Sequence, residues 1–192
     1  MSARLILGSS SPRRLDILNQ IGMPPDVVVG ADIDETPLKG ELPHLYCKRI
    51  AQGKNDALAS QYPDDYLVTA DTTVVVGRRI LGNPADEAEA LRMMRLLSGR
   101  NHRVYTAVVV RAPDGRVSLR LVESRVKVKN IADADLAAAL AIGEWKGRAG
   151  GYSYIGYFSR FIQKMTGSSS AILGLPAYET VNLLTGLGYK GK

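Results

Sequence analysis

The segment GSSSPRR, residues 8–14, combines small hydroxyl residues with two arginines at the start of a predicted helix. Backbone N–H groups at a helix start have no intrahelical partner, and the helix dipole favours an anion there. The hydroxyl of Ser9 can donate to a phosphate oxygen, and Arg13 and Arg14 can add charge-assisted hydrogen bonds. The segment therefore indicates phosphate binding, the alternative being a capped helix with two solvated arginines. It is not a Walker P-loop, because no Gly-Lys-Ser/Thr follows the turn.

A second group of candidate catalytic or binding residues consists of three carboxylates and one lysine. Asp71 interrupts the apolar stretch VTADTTVVV, so it must be paired, bound to a metal or placed at an exposed strand end, and Thr72 beside it offers a hydroxyl. Asp34 and Glu35 follow another predicted strand, and carboxylates of this kind can hold Mg²⁺ together with substrate phosphates and water. Lys54, on a predicted helix, could neutralise a phosphate. The alternatives are solvated surface charges and an Asp71 that caps a turn between strands.

The composition narrows the classes of protein further. The 192 residues carry a net charge of +6, of which +5 lies from Trp145 onward, and this favours an anionic partner. No nucleic-acid module is visible, so a small phosphorylated ligand is the simpler expectation, with nucleic-acid binding by the basic C-terminal quarter as the alternative. The single cysteine, Cys47, excludes an internal disulfide and fits a cytoplasmic protein. No apolar run is long enough to span a bilayer, and no membrane association is expected.

Other nucleophile and metal patterns are lacking. His44 and His102 are far apart in the sequence and do not have the spacing of a metal site. No G-x-S-x-G elbow or Cys/His signature of covalent catalysis is present.

Strand and helix signals alternate along the chain, and the elements they predict must position these residues. Proline near helix starts, glycine after helix ends and period-two alternation in strands give the boundaries. The expected strands are 3–8, 26–35, two segments within 66–84 and a hairpin over 102–129, and the expected helices are 11–22, 41–63, 86–99, 133–143 with Asp133 as its cap, and one opening near Pro176. This pattern predicts an α/β fold with a mixed twisted sheet flanked by helices, and two lobes with a central cleft.

Six segments, in the same order, resemble the Maf-like nucleoside triphosphate pyrophosphatases over nearly the whole length of the chain. They are LILGSSSPRRLDIL, DIDET, VTADTTVVV, ILGNPADEAEALRMMRLLSGRNHRVYTAV, GRAGGYSYIG and GSSSAILGLPAYET. The resemblance implies a single Maf-like domain over residues 1–192, with the cleft between lobes that the family shares. It also implies hydrolysis of the bond between the α and β phosphates of canonical or modified nucleoside triphosphates, with Mg²⁺ or Mn²⁺ as the cofactor.

The resemblance also implies roles for individual residues. Asp71 matches the aspartate proposed as base and metal ligand, Lys54 matches the family's helix lysine, and either Asp34 or Glu35 would share the metal. The expected substrate contacts are Ser9, Arg13, Arg14, Thr72, Asn83 and Arg148. Asn83 and Ile155 stand where the pyrimidine-type pattern has lysine and glutamine, so the sequence leaves the preferred base open. A nucleotide-binding regulator of septum formation with little turnover is the alternative function, and a homodimer is a further expectation.

Overall fold

The computed structural model describes residues 3–191, which form a sheet with helices on both faces. Its elements, in chain order, are β1 (Leu5–Leu7), α1 (Pro12–Gln20), β2 (Val27–Val28), α2 (Pro43–Ala59), β3 (Tyr66–Val76), β4 (Arg79–Leu81), α3 (Glu87–Leu97), β5 (Asn101–Arg111), β6 (Val117–Val128), α4 (Asp133–Ala141), β7 (Ile162–Thr166), α5 (Ser169–Leu173) and α6 (Ala177–Gly186). Short 3₁₀ turns occupy Ala149–Gly151 and Tyr157–Phe161. Within the described residues, no helix is both long and apolar enough to cross a membrane.

The sheet is mixed, as the sequence predicts. Its strand order is β2-β1-β3-β5-β6-β7, with β4 paired to β3 beside this path. β1 runs parallel to β2 and β3, whereas the β3–β5, β5–β6 and β6–β7 pairs are antiparallel. The long hairpin of β5 and β6 turns at residues 112–116, where the Pro-Asp-Gly signal predicts it.

A gap in one edge of β3 creates the cleft. β5 pairs with one edge of β3 along nearly its full length, so β1 and β4 must share the other edge. β1 pairs as far as Val68, and β4 begins to pair at Val74. The intervening residues 69–73 therefore have no strand beside them on that edge. Ligand sites in open α/β sheets commonly form where neighbouring connections diverge in this way.

Two hydrophobic clusters pack on either side of this gap. One cluster contains Val68 and Ala70 of β3 together with buried residues of β1, α1 and α6. The other contains Val74 of β3 together with buried residues of α3, α4 and the Tyr157–Phe161 turn. β3 thus passes from one core to the other, and its polar residues Asp71–Thr73 lie at the crossing, which gives the two expected lobes and the cleft between them.

Four local expectations differ from the structure. β2 is only two residues long, because the polar stretch after it runs as a loop toward α2. The N-cap of α4 is Ala132, and Asp133 is instead an acidic first-turn residue, which the helix dipole also favours. β7 and α5 were not expected. The first has exposed polar residues, and the second is a single short helix whose Ser168 hydroxyl accepts a capping bond from the Ala171 N–H.

Candidate active site

A cleft of about 750 Å³ opens at the gap between β1 and β4. Its walls are the loop after β1, the start of α1, one face of α2, the middle of β3 and the glycine-rich segment around Arg148. Gly8 allows the first of these loops to pass close over β3, since a Cβ at this position would lie 2.6 Å from the Thr69 side chain. The serine loop is therefore held directly above the polar stretch of β3.

Lys54 lies at the centre of the acidic side of the cleft. Its Nζ is 3.0 Å from Oδ1 of Asp71 and 2.8 Å from Oε1 of Glu35. The Lys54 side chain is 12% exposed and that of Asp71 is 9% exposed, so this ion pair is largely shielded from water, whereas Glu35 is half exposed. One ammonium group thus joins a carboxylate on β3 to a carboxylate on the loop before α2.

Asp71 is held at its other oxygen as well. The buried hydroxyl of Thr73, two residues further along the same face of β3, donates to Oδ2 over 3.1 Å. The Sγ of Cys47 lies 3.4 Å from the backbone carbonyl oxygen of Asp71. The carboxylate is therefore held in one orientation by contacts at both oxygens, with its backbone packed against α2.

Two buried residues of α2 support this acidic side without carrying charge. Tyr46 donates its hydroxyl hydrogen to the backbone carbonyl of Glu35 over 2.8 Å, which ties the acidic loop to the helix. Burial, together with the charges of Asp71 and Glu35, raises the pKa of Tyr46 to about 12. Burial, reinforced by Asp71, also raises the pKa of the Cys47 thiol to about 12. Both groups stay neutral near pH 7, so Cys47 is not a thiolate nucleophile.

The two arginines of the SPRR segment differ in their contacts. Arg14 donates from Nε to the carbonyl of Gly174 over 2.8 Å, from Nη1 to the Ser9 hydroxyl over 2.9 Å, and from Nη2 toward Thr72 over 3.5 Å. Burial lowers the pKa of Arg14. Gly174 has a φ of 119°, and a Cβ there would approach Arg14 Nε to 3.4 Å. Arg14 therefore ties the serine loop to the turn after α5.

Arg13 instead leaves its guanidinium available to a ligand. It lines the cleft but has no hydrogen bond or ion pair within residues 3–191. Burial and the positive charges of Arg148 and Arg14 lower the pKa of Arg13. Arg148 donates to the buried hydroxyl of Ser153 and also lines the cleft. Arg13 and Arg148 therefore concentrate positive charge in the cleft, and neither forms an ion pair within the described residues.

The carboxylates of the cleft suit a hard divalent cation whose remaining ligands come from the substrate. Within the described part of the chain, no three His, Cys, Asp or Glu residues cluster as a closed metal site. Asp71 and Glu35 nevertheless present two carboxylates to one cleft, both within 3.0 Å of the same ammonium group. Mg²⁺ is commonly bound by one or two carboxylates plus substrate phosphates and water, and these residues fit that mode.

The family model described as Maf-like protein matches residues 4–187. The chain belongs to the Maf-like family. It is 52% identical over 184 residues to a dTTP/UTP pyrophosphatase of Cereibacter sphaeroides, with 96% of this chain and 95% of that protein covered.

Further relatives carry the same description. A dTTP/UTP pyrophosphatase of Caulobacter vibrioides is 50% identical over 186 residues, with 97% of this chain and 96% of that protein covered. A dTTP/UTP pyrophosphatase of Maricaulis maris is 50% identical over 187 residues, with 97% and 89% covered. Among solved structures, the Ham1 protein of Staphylococcus aureus is 17% identical over 65% of this chain and 71% of that one, with a TM-score of 0.46, a likeness too low to bear on activity.

The Maf-like chain brings most of its sequence-predicted residues to this cleft. The candidates that line it are Ser9, Arg13, Arg14, Glu35, Lys54, Asp71, Thr72, Asn83 and Arg148. Asp34 is not among the lining residues. It is exposed, its carboxylate accepts the Thr36 N–H over 2.8 Å, and hydrogen bonds from Thr36 hold its pKa below the usual range. Of the two acidic residues left open by the sequence, Glu35 is therefore the one that faces Lys54.

Sequence reasoning gave no role in the site to Tyr46, and for Thr73 it noted only a hydroxyl near Asp71. Tyr46 and Thr73 line the cleft, where Tyr46 donates to the backbone carbonyl of Glu35 and Thr73 donates to the carboxylate of Asp71. The helical spacing of Tyr46, Ile50 and Lys54 would have placed the tyrosine on the same face as the lysine. In the segment GRAGGYSYIG, Ile155 is 66% exposed and does not line the cleft, whereas Tyr154 does.

Proposed function

We propose that this chain, as one Maf-like domain, hydrolyses nucleoside triphosphates between the α and β phosphates, releasing a nucleoside monophosphate and pyrophosphate. The observation that carries the proposal is that two groups of opposite character line one cleft. An ordered carboxylate, Asp71, lies beside Lys54, and the unpaired guanidinium of Arg13 lines the same cleft. The names of relatives about 50% identical over nearly the full chain support the same reaction.

The basic wall would bind the phosphate chain. Arg13 supplies free N–H donors, and Arg148 adds a second positive charge nearby. Ser9 and Thr72 are already hydrogen-bonded to Arg14, so they act mainly by holding the shape of the loop. Positive charge next to the β and γ phosphates stabilises the negative charge that develops on departing pyrophosphate.

The acidic side would prepare the attacking water. Asp71 accepts the proton as the water oxygen forms a bond to the α phosphorus and the bond to the bridging oxygen breaks. Pyrophosphate leaves with the electron pair of that bond. Lys54, 3.0 Å from Asp71, offsets negative charge where phosphate and carboxylate approach each other. Thr73 keeps the carboxylate oriented throughout, because its hydroxyl donates to Oδ2.

Asp71 and Glu35 are the residues that would hold a divalent cation, Mg²⁺ or Mn²⁺. When bound, such an ion would supply further positive charge to the phosphate oxygens. Asp34 remains a proposed alternative ligand only if its loop rearranges, since its carboxylate is engaged with Thr36 on the exposed side.

For the substrate base, dTTP and UTP are the first candidates, on the strength of the relatives' names. The residues of this chain that are candidates for contacting the base are the exposed Asn83 and Tyr154, which both line the cleft. Neither is the lysine or glutamine of the pyrimidine-type pattern, and modified nucleotides therefore belong in the same test.

The test is product analysis with purified full-length protein and Mg²⁺. Equal amounts of monophosphate and pyrophosphate from dTTP or UTP, with no diphosphate, are the expected result. Diphosphate and orthophosphate as products would contradict cleavage between the α and β phosphates. Nucleotide binding without any turnover across canonical and modified nucleotides would instead favour a nucleotide-binding regulator.

A further inference from the structure

A second concavity, of about 580 Å³, lies on the same face of the sheet as Asp71 but nearer the turn between β3 and β4. We call it the basic concavity, after the four cationic side chains that line it: Arg103, Arg125, Lys127 and Lys164. Val75 also lines it, four residues along β3 from Asp71, which corresponds to about 13 Å at the rise of a strand. It is therefore a separate surface from the cleft.

The sheet register places like charges directly opposite each other here. Arg103 on β5 is the cross-strand partner of Arg125 on β6, and Lys127 on β6 is the partner of Lys164 on β7. Like charges in directly opposed positions destabilise a sheet. Two such pairs side by side are unfavourable for the free protein and favourable for an anion that lies between them.

Acidic residues compensate for only part of this charge. Glu123 pairs with Arg125 at 2.8 Å and with Arg103 at 3.4 Å, and these arginines lower its pKa. Lys127 and Lys164 are exposed and have no ion pair within residues 3–191. The basic concavity thus carries four positive charges against one carboxylate, with its two lysines free to bind.

We infer that the basic concavity is a binding site for a compact polyphosphate anion, either an inorganic polyphosphate or the phosphate chain of a nucleotide. Its four cations lie on three neighbouring strands, which span about 10 Å across the sheet, and at two positions two residues apart along β6, which span about 7 Å. One such ligand can therefore reach all four. Grooves that bind single-stranded nucleic acid usually add aromatic side chains for base stacking, and no Phe, Tyr or Trp lines this surface. The inference does not depend on the function proposed for the cleft.

The test is calorimetric titration of the full-length protein with inorganic tripolyphosphate in EDTA at low salt. The variant Lys127→Gln/Lys164→Gln removes the two unpaired cations, and Lys39→Gln/Lys190→Gln removes the same charge from exposed positions outside both cavities. Arg13→Ala weakens binding in the cleft and leaves the basic concavity intact. In that background the cleft binds more weakly, and we expect the affinity of the basic concavity to fall about tenfold or more with the Lys127/Lys164 change and not with the control pair.

Thermal unfolding gives an independent readout of the same site. Without anion at low salt, Lys127→Gln/Lys164→Gln should melt no lower than the wild type, because it relieves a like-charge pair. Added tripolyphosphate should raise the melting temperature of the Arg13→Ala protein by more than that of the same protein with both lysines replaced. The pyrophosphate-release rate of the lysine variant should equal that of the wild type.

The two sources of the anion are distinguished by competition. Displacement of tripolyphosphate from the Arg13→Ala protein by dTTP in EDTA identifies a nucleotide phosphate chain, and failure of dTTP to compete identifies an inorganic polyphosphate. Identical isotherms for the two lysine-pair variants would overturn the site. Tighter, lysine-dependent binding of a single-stranded oligonucleotide would overturn the assignment to a compact anion.

Discussion

Replacing Arg14 by alanine should destabilise the protein more than it alters phosphate binding. The change removes two well-formed hydrogen bonds, to the buried Gly174 carbonyl and to the Ser9 hydroxyl, and a weak third one to Thr72. Hydrogen bonds to charged groups contribute about 1.5–3 kcal/mol each, and removal of the buried guanidinium returns part of its desolvation penalty, so we expect a net loss of about 3 kcal/mol. At about 2–4 °C per kcal/mol for a chain of this size, the melting temperature should fall by about 6–12 °C.

Replacing Arg13 by alanine should have the opposite pattern. Its guanidinium has no bonded partner in the described residues and lies near the positive charges of Arg148 and Arg14. The free energy of unfolding should therefore change by no more than about 0.5 kcal/mol. The KM for nucleotide should rise about tenfold or more, since one charge-assisted phosphate contact is lost.

The assay is differential scanning calorimetry of both variants, followed by pyrophosphate release at a temperature where each is folded. Arg14→Lys serves as a matched control, because it keeps the charge but loses the fork that reaches three acceptors. It should melt nearly as low as Arg14→Ala. An Arg14→Ala protein with wild-type melting temperature, or an Arg13→Ala protein that melts 6 °C lower, about the smallest loss expected for Arg14→Ala, would refute this division of roles.

Three further predictions concern single buried side chains. Thr73→Val should lower kcat about tenfold with little change in KM, and Thr73→Ser should restore it, because the hydroxyl orients Asp71. His102 is buried, and burial lowers its pKa to about 4. Between pH 6.5 and 4 its imidazole is therefore protonated in the unfolded chain and neutral in the folded chain. Denaturation at several pH values should show stability falling by about 3 kcal/mol from pH 6.5 to 4, a slope that His102→Gln flattens. Cys47, with its pKa raised to about 12, should resist iodoacetamide at pH 8 until the protein unfolds; rapid native labelling would contradict its burial.

Local signals in the sequence were strong enough to predict most of the elements. Pro12 at the start of α1, Gly99 after α3 and the Pro-Asp-Gly turn of the hairpin each specify a backbone conformation within a few residues. β7 was not predicted, because its residues, IQKMT, lack the alternation of a half-buried strand and become a strand through pairing with β6. Such tertiary pairing leaves little trace in a short window of sequence.

The charged residues of the site could be predicted from the sequence, but the contacts that position them could not. Asp71 stands out because a charge within an apolar strand needs a partner, whereas Lys54 is assigned through the resemblance to the family. The different roles of Arg13 and Arg14 could not be predicted, because they depend on the carbonyl of Gly174, which is 160 residues from Arg14 along the chain. The choice between Asp34 and Glu35 likewise depends on a loop conformation that Tyr46 stabilises through the backbone of Glu35.

In the proposed function, hydrolysis depends on the carboxylate of Asp71. The most direct measurement compares pyrophosphate release from dTTP and UTP by the wild type and by Asp71→Asn, with Mg²⁺, after calorimetry has established that both are folded. Asp16→Asn, which alters an exposed carboxylate outside the cleft lining, is the matched control. We expect release by the wild type and by Asp16→Asn, and a loss of at least about a hundredfold in Asp71→Asn while nucleotide binding is retained. Near-normal release by folded Asp71→Asn would contradict this dependence.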